Sequence, residues 1–271
     1  MQRVRKRSKS AEGGELAGSP NSATSLTRGL EILRAFTPAD PTLGNQELIE
    51  RTGLAGATVS RLTSVLVTLG YLHYDAALGR YSIGPATVSL GYSALSSNPV
   101  IHMARPLMQE LADRTGAAVA LGTRDGLEMV YLANCRSMSP VTLQLNVGSR
   151  IPIGRTAMGL AYLADLDQQQ RKDFVARLRK ADPGESERLD ANLARALRER
   201  QELGFVTAFG TWYSYINAVG VVFRPTDGTP AVALTCGGIV DILSEDHCRT
   251  NVGPRLVSLV EQLGRMLAGA A

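Results

Sequence analysis

The chain has 271 residues, of which 44% are hydrophobic and 20% charged, and its formal net charge is +4. This composition excludes disordered and coiled-coil classes and predicts a globular protein with one large core or two smaller ones. No apolar run approaches the roughly 20 residues that span a bilayer, so we expect a cytoplasmic protein without a membrane partner. The three cysteines are far apart and lack metal-ligand spacing, which predicts reduced thiols, no metal site and no cofactor.

The positive charge is concentrated at the start of the chain. The first ten residues carry five basic side chains, and the remainder is close to neutral. Residues 8–25 are rich in Ser, Gly, Ala and Pro, so we expect residues 1–24 to be a flexible basic arm. The arm is either a solvated terminus or a source of salt-dependent phosphate contacts, and the second interpretation is favoured if a DNA-binding module follows it.

Residues 25–84 predict three short helices followed by a β-ribbon. Apolar residues at helical spacing from Leu26 predict the first helix. The segment NQELIERT predicts a second helix with Asn45 as its cap, and Gly53 lies in a tight turn before a third helix that extends to Leu69. The segments YLHYD and RYSI, separated by AALG, predict the two strands of a wing.

One face of the third helix is small and polar. At about 100° per residue, the side opposite its apolar stripe carries Ala57, Ser60, Arg61, Ser64 and Thr68. Short side chains let a helix enter the major groove, and an arginine can bind guanine or phosphate through two hydrogen bonds. An ordinary solvated surface usually carries Glu and Lys, and this face has neither. The pattern therefore predicts a winged helix-turn-helix that binds duplex DNA.

We expect contacts to DNA from the first helix, the third helix and the wing, where two side chains would touch the sugar-phosphate backbone. The predicted DNA-binding residues are Arg28, Ala57, Thr58, Ser60, Arg61, Ser64, His73 and Arg80. Residues 25–84 contain as many acidic residues as arginines. One copy should therefore bind modestly, and two copies would be needed on one site.

Several motifs in this region resemble the IclR family of bacterial transcription regulators. They are the T-G-L turn, T-V-x-R-L in the third helix, G-Y-L before the wing and Y-x-I-G after it, with V-G-x-R-I-P-I and T-A-M-G further along. The sequence departs from the family at Ala55-Gly56-Ala57, where members commonly have Pro-Lys and Ser. Base preference therefore cannot be transferred from a relative.

The resemblance implies an α+β protein with a winged helix-turn-helix over 25–84, a linker helix over 85–98 and a GAF-like effector-binding and oligomerisation domain over 99–271. That last domain would have an antiparallel sheet with flanking helices. The resemblance also implies a homodimer on a pseudo-palindromic operator, with a dimer of dimers left open, and a bacterial protein that is nucleoid-associated when bound.

The pattern beyond residue 99 is that of an α+β domain. A helix over Ile101–Thr115 precedes expected strands at AAVALG, EMVYLANC and VTLQL, and three helices follow at AMGLAYLAD, QQQRKDFVARLRK and ERLDANLARALRERQ. Strands AVGVVFRP and PAVALTCG would be joined by a turn at Thr226-Asp227-Gly228, before a closing helix from Pro254 to Leu267. The three histidines lie in separate segments and no nucleophile elbow or phosphate loop is present, so we expect no enzyme.

Residues 151–159 predict a loop that runs into a helix, whose free N–H groups would suit an anion such as a carboxylate. The resemblance places this segment in an effector pocket. Arg155 could pair with an acid, and a surface cation is an equally open interpretation. The predicted effector-binding residues are Leu143, Gly154, Arg155, Thr156, Ala157, Met158, Trp212, Ala218, Leu234 and Cys236.

Two departures from the family concern the chemistry of this pocket. Trp212, Tyr213 and Tyr215 stand where relatives usually carry polar groups, and Leu234 stands where carboxylate-binding relatives tend to have a hydroxyl. We therefore expect a more apolar cavity that takes an aromatic or branched-chain acid, or a larger thioester, in place of a small keto acid. Packing of these aromatics in a loop or a subunit interface is the alternative.

The sequence thus predicts a ligand-responsive, sequence-specific DNA-binding transcription regulator, with a repressor favoured over an activator. Its expected partners are double-stranded DNA, a small organic acid and a second copy of the chain. The alternative is a winged-helix scaffold that contacts protein and has no regulatory ligand.

Overall fold

The computed structural model describes residues 22–139, 143–225 and 228–269, and the chain forms two compact units that divide between Ala94 and Leu95. Most of the expected basic arm lies outside the described residues, as do Thr226 and Asp227 of the expected turn. No helix in the described part of the chain is long and apolar enough to span a membrane.

The first unit contains the predicted helices and wing. Its elements are α1 (Ser22–Arg34), β1 (Thr42–Leu43), α2 (Asn45–Thr52), α3 (Gly56–Thr68), β2 (Leu72–Asp75), β3 (Arg80–Ile83) and α4 (Pro85–Ser96), which runs across the boundary between the units. The strands form a small antiparallel sheet in the order β1-β3-β2. Sequence analysis missed β1 because two residues carry no periodic signal.

The turn between α2 and α3 has the predicted form, but the cap of α2 does not. Gly53 adopts a left-handed conformation with φ of +66°, which a glycine permits without steric cost. The predicted cap residue, Asn45, is already the first residue of the helix, and Gly44 takes the cap position. The carboxylate of Glu47 accepts a 2.7 Å hydrogen bond from the Gly44 N–H, so a side chain inside the first turn replaces the predicted asparagine.

A single apolar cluster holds the first unit together. It is formed by fully or nearly fully buried side chains from both helices and strands: Ile32, Leu43, Leu48, Val59, Leu62 and Leu72. Helix α3 packs against α1, α2 and β2, so its buried side is committed to this core. The opposite side of α3 is therefore the one that faces away from the core.

The second unit is an α+β domain. Its elements are α5 (Pro99–Thr115), β4 (Ala118–Asp125), β5 (Glu128–Arg136), β6 (Arg150–Pro152), α6 (Ala157–Asp165), α7 (Gln168–Ala181), a 3₁₀ turn (Pro183–Glu185), α8 (Ser186–Leu203), β7 (Val206–Phe209), β8 (Ile216–Phe223), β9 (Val232–Ile239), α9 (Glu245–His247), a π-helical turn (Cys248–Val252) and α10 (Gly253–Gly269). The strands form one antiparallel sheet in the order β6-β5-β4-β9-β8-β7.

Helices cover both faces of this sheet. Helices α5 and α10 pack on one face, and α6 and α8 pack on the other. Two edge strands, β6 and β7, were not predicted because three or four residues give little periodicity. The expected strand VTLQL is wrong in its described part, since residues 143–145 have no regular structure and β6 pairs with β5 instead.

A β-bulge reverses the side-chain alternation within β5. Leu121 of β4 pairs with Ala133, whereas the next residue, Gly122, pairs with Tyr131, so Leu132 is the extra residue. Ala133 consequently packs under α5, and Tyr131 packs on the face that α6 covers. This irregularity brings an aromatic hydroxyl to the side of the sheet that α6 covers.

Candidate DNA-binding surface and effector cavity

The polar face of α3 is exposed in the structure. Ala57, Ser60, Arg61, Ser64 and Thr68 are all exposed, whereas Thr58 is half-buried. The Arg61 guanidinium makes no hydrogen bond or ion pair with a described residue. An exposed arginine between small side chains has the freedom to reach a base edge or a phosphate.

The residues outside α3 that were predicted to touch DNA differ in whether their side chains are already paired. His73 in β2 is exposed, and Arg28 in α1 is also exposed. The Arg80 guanidinium forms a 2.8 Å ion pair with Glu47 and donates a 2.8 Å hydrogen bond to the Thr42 carbonyl. Arg80 therefore ties the wing to β1 and α2 and has its charge matched inside the unit, which the sequence could not indicate because the partners lie more than 30 positions away.

A small cavity lies between the sheet and the first turn of α6, and we call it the effector cavity because most residues predicted to bind an effector line it. Its volume is about 30 Å³, close to the space of one water molecule. The lining residues are Tyr131, Leu143, Ile151, Arg155, Thr156, Ala157, Met158, Ala208, Thr211, Trp212, Ile216, Ala218, Thr235 and Gly237. Seven of the ten predicted residues line it: Leu143, Arg155, Thr156, Ala157, Met158, Trp212 and Ala218.

Three predicted pocket residues lie elsewhere. Leu234 and Cys236 point to the opposite face of β9, into the core under α5 and α10, and Thr235 and Gly237 face the cavity instead. The prediction was wrong by one residue, which reverses the face in a strand. Gly154 lines a separate hollow beside Leu189.

The missed residues Tyr131, Thr211 and Thr235 add hydroxyl groups to that of the predicted Thr156. The Thr235 hydroxyl donates a 2.8 Å hydrogen bond to the Val219 carbonyl, and the Thr211 hydroxyl donates a 2.6 Å hydrogen bond to the Arg155 carbonyl. Burial raises the pKa of Tyr131, so its hydroxyl stays protonated and can donate to a ligand. The expectation that Leu234 removes a hydroxyl from the pocket is therefore wrong, since Thr235 provides one.

Helix α6 begins at the cavity and is held there by its own cap. Thr156 is the cap residue: its side-chain oxygen accepts a 3.3 Å hydrogen bond from the Gly159 N–H, and its hydroxyl donates to the Pro152 carbonyl at 2.7 Å. The N–H groups of Ala157 and Met158 precede those that an α-helix bonds internally. They are positioned at the positive end of the helix, where an anion is stabilised.

The aromatic segment after β7 divides into two parts. Trp212 lines the cavity, whereas Tyr213 and Tyr215 are 47% and 55% exposed. The three rings contact one another in sequence, with centroids 4.6 Å apart for Trp212 and Tyr213 and 5.5 Å apart for Tyr213 and Tyr215. Only the tryptophan is therefore placed to contact a ligand in the cavity.

A winged helix-turn-helix with an exposed recognition helix, together with a second domain that encloses a small cavity, defines a DNA-binding regulator with a sensory domain. Two family descriptions match the chain: "IclR helix-turn-helix domain" over residues 25–76 and "Bacterial transcriptional regulator IclR C-terminal" over residues 92–265. The chain belongs to the IclR family of transcription regulators.

Relatives of the chain agree with this assignment. The chain is 33% identical over 241 residues to the HTH-type transcriptional regulator TsaQ1/TsaQ2 of Comamonas testosteroni, covering 88% of this chain and 86% of that protein. It is 23% identical over 248 residues to the transcriptional repressor AllR of Escherichia coli strain K12, covering 91% of each. These relatives are transcription regulators and not enzymes, as the sequence predicted.

Solved structures share the fold. An IclR family regulator from Brucella abortus has a TM-score of 0.82 at 37% identity, covering 90% of this chain and 92% of that one. An IclR homologue from Microbacterium hydrocarbonoxydans complexed with 4-hydroxybenzoate has a TM-score of 0.67 at 21% identity, covering 89% of this chain and 99% of that one.

Proposed function

We propose that the protein is a repressor that binds a pseudo-palindromic operator as a homodimer and is released from it by an aromatic carboxylic acid. The observation that carries the DNA-binding part is the exposed, small and polar face of α3, at whose centre Arg61 has no partner among the described residues. Ser60, Arg61 and Ser64 would contact base edges and phosphates in the major groove, and His73 and Arg28 would contact the backbone.

Fluorescence anisotropy tests the recognition helix. The probe is a labelled duplex from the DNA beside this protein's own gene, titrated at low and moderate salt. A lost bidentate arginine contact is worth about 1–3 kcal/mol, so Arg61→Ala should weaken binding by about tenfold or more. The control is Arg34→Ala, which removes an exposed arginine from the last turn of α1, away from the predicted contacts. Equal affinity of both variants would refute the proposed recognition surface.

The alternative function, a protein-binding scaffold, predicts a different result in the same assay. Binding would be weak, independent of the DNA sequence, steeply salt-dependent and unchanged by Arg61→Ala, because only the basic arm would touch DNA. The dimer is tested by the stoichiometry at saturation, for which we expect two chains per operator. One chain per operator would overturn the proposed dimer.

The proposed effector site combines an anion position with an aromatic wall. The carboxylate would accept hydrogen bonds from the Ala157 and Met158 N–H groups, and the ring would lie against Trp212. The hydroxyl groups of Tyr131 and Thr235 would select ligands that carry a polar substituent. The complex of the Microbacterium hydrocarbonoxydans homologue supports the choice of 4-hydroxybenzoate as a first compound.

The closed cavity of about 30 Å³ is too small for a benzoate, so binding requires side chains to move. Trp212 is half-buried at the wall and is the side chain we expect to move outward. It is also the only tryptophan of the chain, so its fluorescence reports directly on the cavity. 4-Hydroxybenzoate should change this fluorescence in a saturable way, and binding of pyruvate and glyoxylate alone would refute the aromatic assignment.

The direction of regulation is tested by adding the acid to the DNA complex. If the protein is a repressor that its effector releases, a saturating acid should raise the Kd for the operator, because the two ligands then favour different states of the protein. The name of the AllR relative as a repressor supports this direction. An acid that tightens the complex would overturn the proposed release.

A further inference from the structure

A second cavity in the same domain has the chemistry of an anion site. It is an open hollow of about 590 Å³ between α5 and the last residues of β5. Its lining consists of Arg105, Pro106, Gln109, Asn134, Cys135, Arg136, Asn146 and Val147. The described lining residues therefore supply two guanidinium groups and three carboxamides, and none of them carries a carboxylate.

The positive charge of this cavity is only partly balanced by a neighbouring acid. Neither Arg105 nor Arg136 forms an ion pair with a described acidic residue. The nearest carboxylate in the hydrogen-bond network belongs to Asp113, which accepts a 2.9 Å hydrogen bond from Gln109 and does not line the cavity. Burial raises the pKa of the Cys135 thiol, and the charges of Arg105 and Asp113 both reach it, Arg105 opposing this rise and Asp113 adding to it. An oxyanion is the ligand that this charge distribution favours.

Two of the lining side chains, Asn134 and Arg136, are held in place by hydrogen bonds to residues 145 and 146. Asn134 Nδ2 donates a 2.6 Å hydrogen bond to the Leu145 carbonyl, and Arg136 donates to the same carbonyl and, at 3.0 Å, to Asn146. Because the amide nitrogen of Asn134 must face Leu145, its oxygen is turned away from that carbonyl. These contacts fix both side chains before any ligand arrives, which reduces the entropy lost on binding.

Each of these two side chains retains one unmatched polar atom. Asn134 Oδ1 and Arg136 Nε are buried and have no hydrogen-bond partner among the described residues. Buried polar groups are normally paired, so an unmatched acceptor and an unmatched donor on two lining residues each call for a partner. A ligand that carries both an oxyanion and a donor group would satisfy both atoms after a small adjustment of the side chains.

We propose that this cavity binds a small carboxylate that also carries a hydroxyl or amino group, as a second ligand of the protein. The carboxylate would pair with Arg105 and Arg136, and its hydroxyl or amino group would donate to Asn134 Oδ1. The segment 143–147 links this cavity to the effector cavity, since Leu143 lines the effector cavity and Asn146 and Val147 line the second one. A ligand here therefore changes the affinity of the effector cavity for its own ligand.

Titration calorimetry on the full chain tests the proposal with L-malate as the probe. The matched compound is succinate, which has the same two carboxylates and lacks the hydroxyl. We expect malate to bind with a Kd in the millimolar range or below, and succinate to bind about tenfold more weakly, because it cannot donate to Asn134. Equal affinity for the two acids, or no heat from malate at about 10 mM, would overturn the proposal.

Two arginines on α5 provide the variant and its control. Arg105→Gln removes an exposed guanidinium of the cavity and should weaken malate binding by about tenfold or more. Arg114→Gln removes a 58% exposed arginine that pairs with Glu110 outside this cavity, and it should leave malate binding unchanged. Circular dichroism checks that both variants fold.

The fluorescence of Trp212 identifies the cavity that malate occupies. If malate binds in the effector cavity, it will change the tryptophan signal in the parent and in Arg105→Gln alike, and the proposal fails. If it binds at the second cavity, Arg105→Gln will remove the calorimetric signal, and malate will shift the midpoint of a 4-hydroxybenzoate titration only in the parent protein. A midpoint that malate does not move would overturn the coupling between the cavities.

Discussion

Replacing Gly159 by alanine should destabilise the effector domain, whereas the same change at Gly264 should not. A Cβ on Gly159 would lie 2.2 Å from the carbonyl oxygen of Ile153 and 2.4 Å from its Cα. Real Cβ contacts stay above 3.0 Å, so the start of α6 and the Ile153 backbone would have to separate by about 0.8 Å. A Cβ on Gly264 in α10 would meet its nearest atom, Phe223 Cε2, at an ordinary 3.6 Å.

The pair of variants isolates the steric effect, because both glycines lie in helices. Overpacking costs about 1–3 kcal/mol, and the gain from glycine to alanine in a helix is up to about 1 kcal/mol. The helix gain cancels between the two variants, so we expect Gly159→Ala to be less stable than Gly264→Ala by about 1–3 kcal/mol. The displaced turn would also move the Ala157 and Met158 N–H groups away from the proposed carboxylate and weaken effector binding.

Urea unfolding measured by tryptophan fluorescence tests this prediction. The only tryptophan, Trp212, lies in the second unit, so its signal reports the unfolding of that unit even if the first unit unfolds separately. Far-ultraviolet circular dichroism in the same titration shows whether the two transitions coincide. Equal midpoints for Gly159→Ala and Gly264→Ala would refute the close packing of α6 on the Ile153 backbone.

Three further predictions concern the acid stability of the first unit, the face of β9 that lines the cavity, and the reactivity of the thiols. The Gly44 N–H and Arg80 lower the pKa of Glu47 below its ordinary value of 4.5. The ionised Glu47 carboxylate therefore stabilises the folded first unit fully above pH 4.5, and this stabilisation is lost as the pH falls through the lower folded-state pKa. Glu47→Gln should therefore flatten the acid dependence of the thermal midpoint of the first unit, and an unchanged acid slope would contradict the role of this carboxylate. Thr235→Val should weaken the binding of the acid in a titration followed by Trp212 fluorescence. Cys236→Ala should lower the stability of the domain and leave acid binding unchanged. The reverse result would place the cavity on the other face of β9. A thiol reagent at pH 8 should react slowly with the native protein and fully with the unfolded one. All three cysteines, Cys135, Cys236 and Cys248, are buried, and burial raises the pKa of Cys236 to about 12 and that of Cys248 to about 11. Rapid reaction of the native protein would show that this core opens.

The winged domain could be predicted from the sequence because its signals are local. The helical spacing of apolar residues, the left-handed Gly53 and the small polar face around Arg61 each depend on residues within one or two helical turns. The exposure of that face follows from the periodicity, since the opposite side of α3 carries the core residues Val59 and Leu62. What the sequence missed here is the pairing of Arg80 with Glu47, because the two residues meet only when the wing folds back on α2.

The resemblance of residues 151–159 to the family predicted a cavity at the start of a helix, and in the structure Ile151 and residues 155–158 line a small cavity at the start of α6. The details depend on long-range packing. Strand β9 is buried on both faces, with seven of its eight residues buried, so it has no polar-apolar alternation to show which side faces the cavity. The bulge at Leu132 has the same consequence for β5, because an extra residue reverses the faces without leaving a periodic signal.

The sequence by itself determined that a winged helix-turn-helix precedes an α+β domain, because local periodicity and turn chemistry specify the helices, the wing and the longer strands. Only the tertiary structure decided that Thr235 and Tyr131 face the cavity, that Arg80 is matched by Glu47, and that Arg105 and Arg136 share a second cavity. These outcomes depend on which strands pair and which helices cover each face of the sheet, and such contacts join residues that are far apart in the chain.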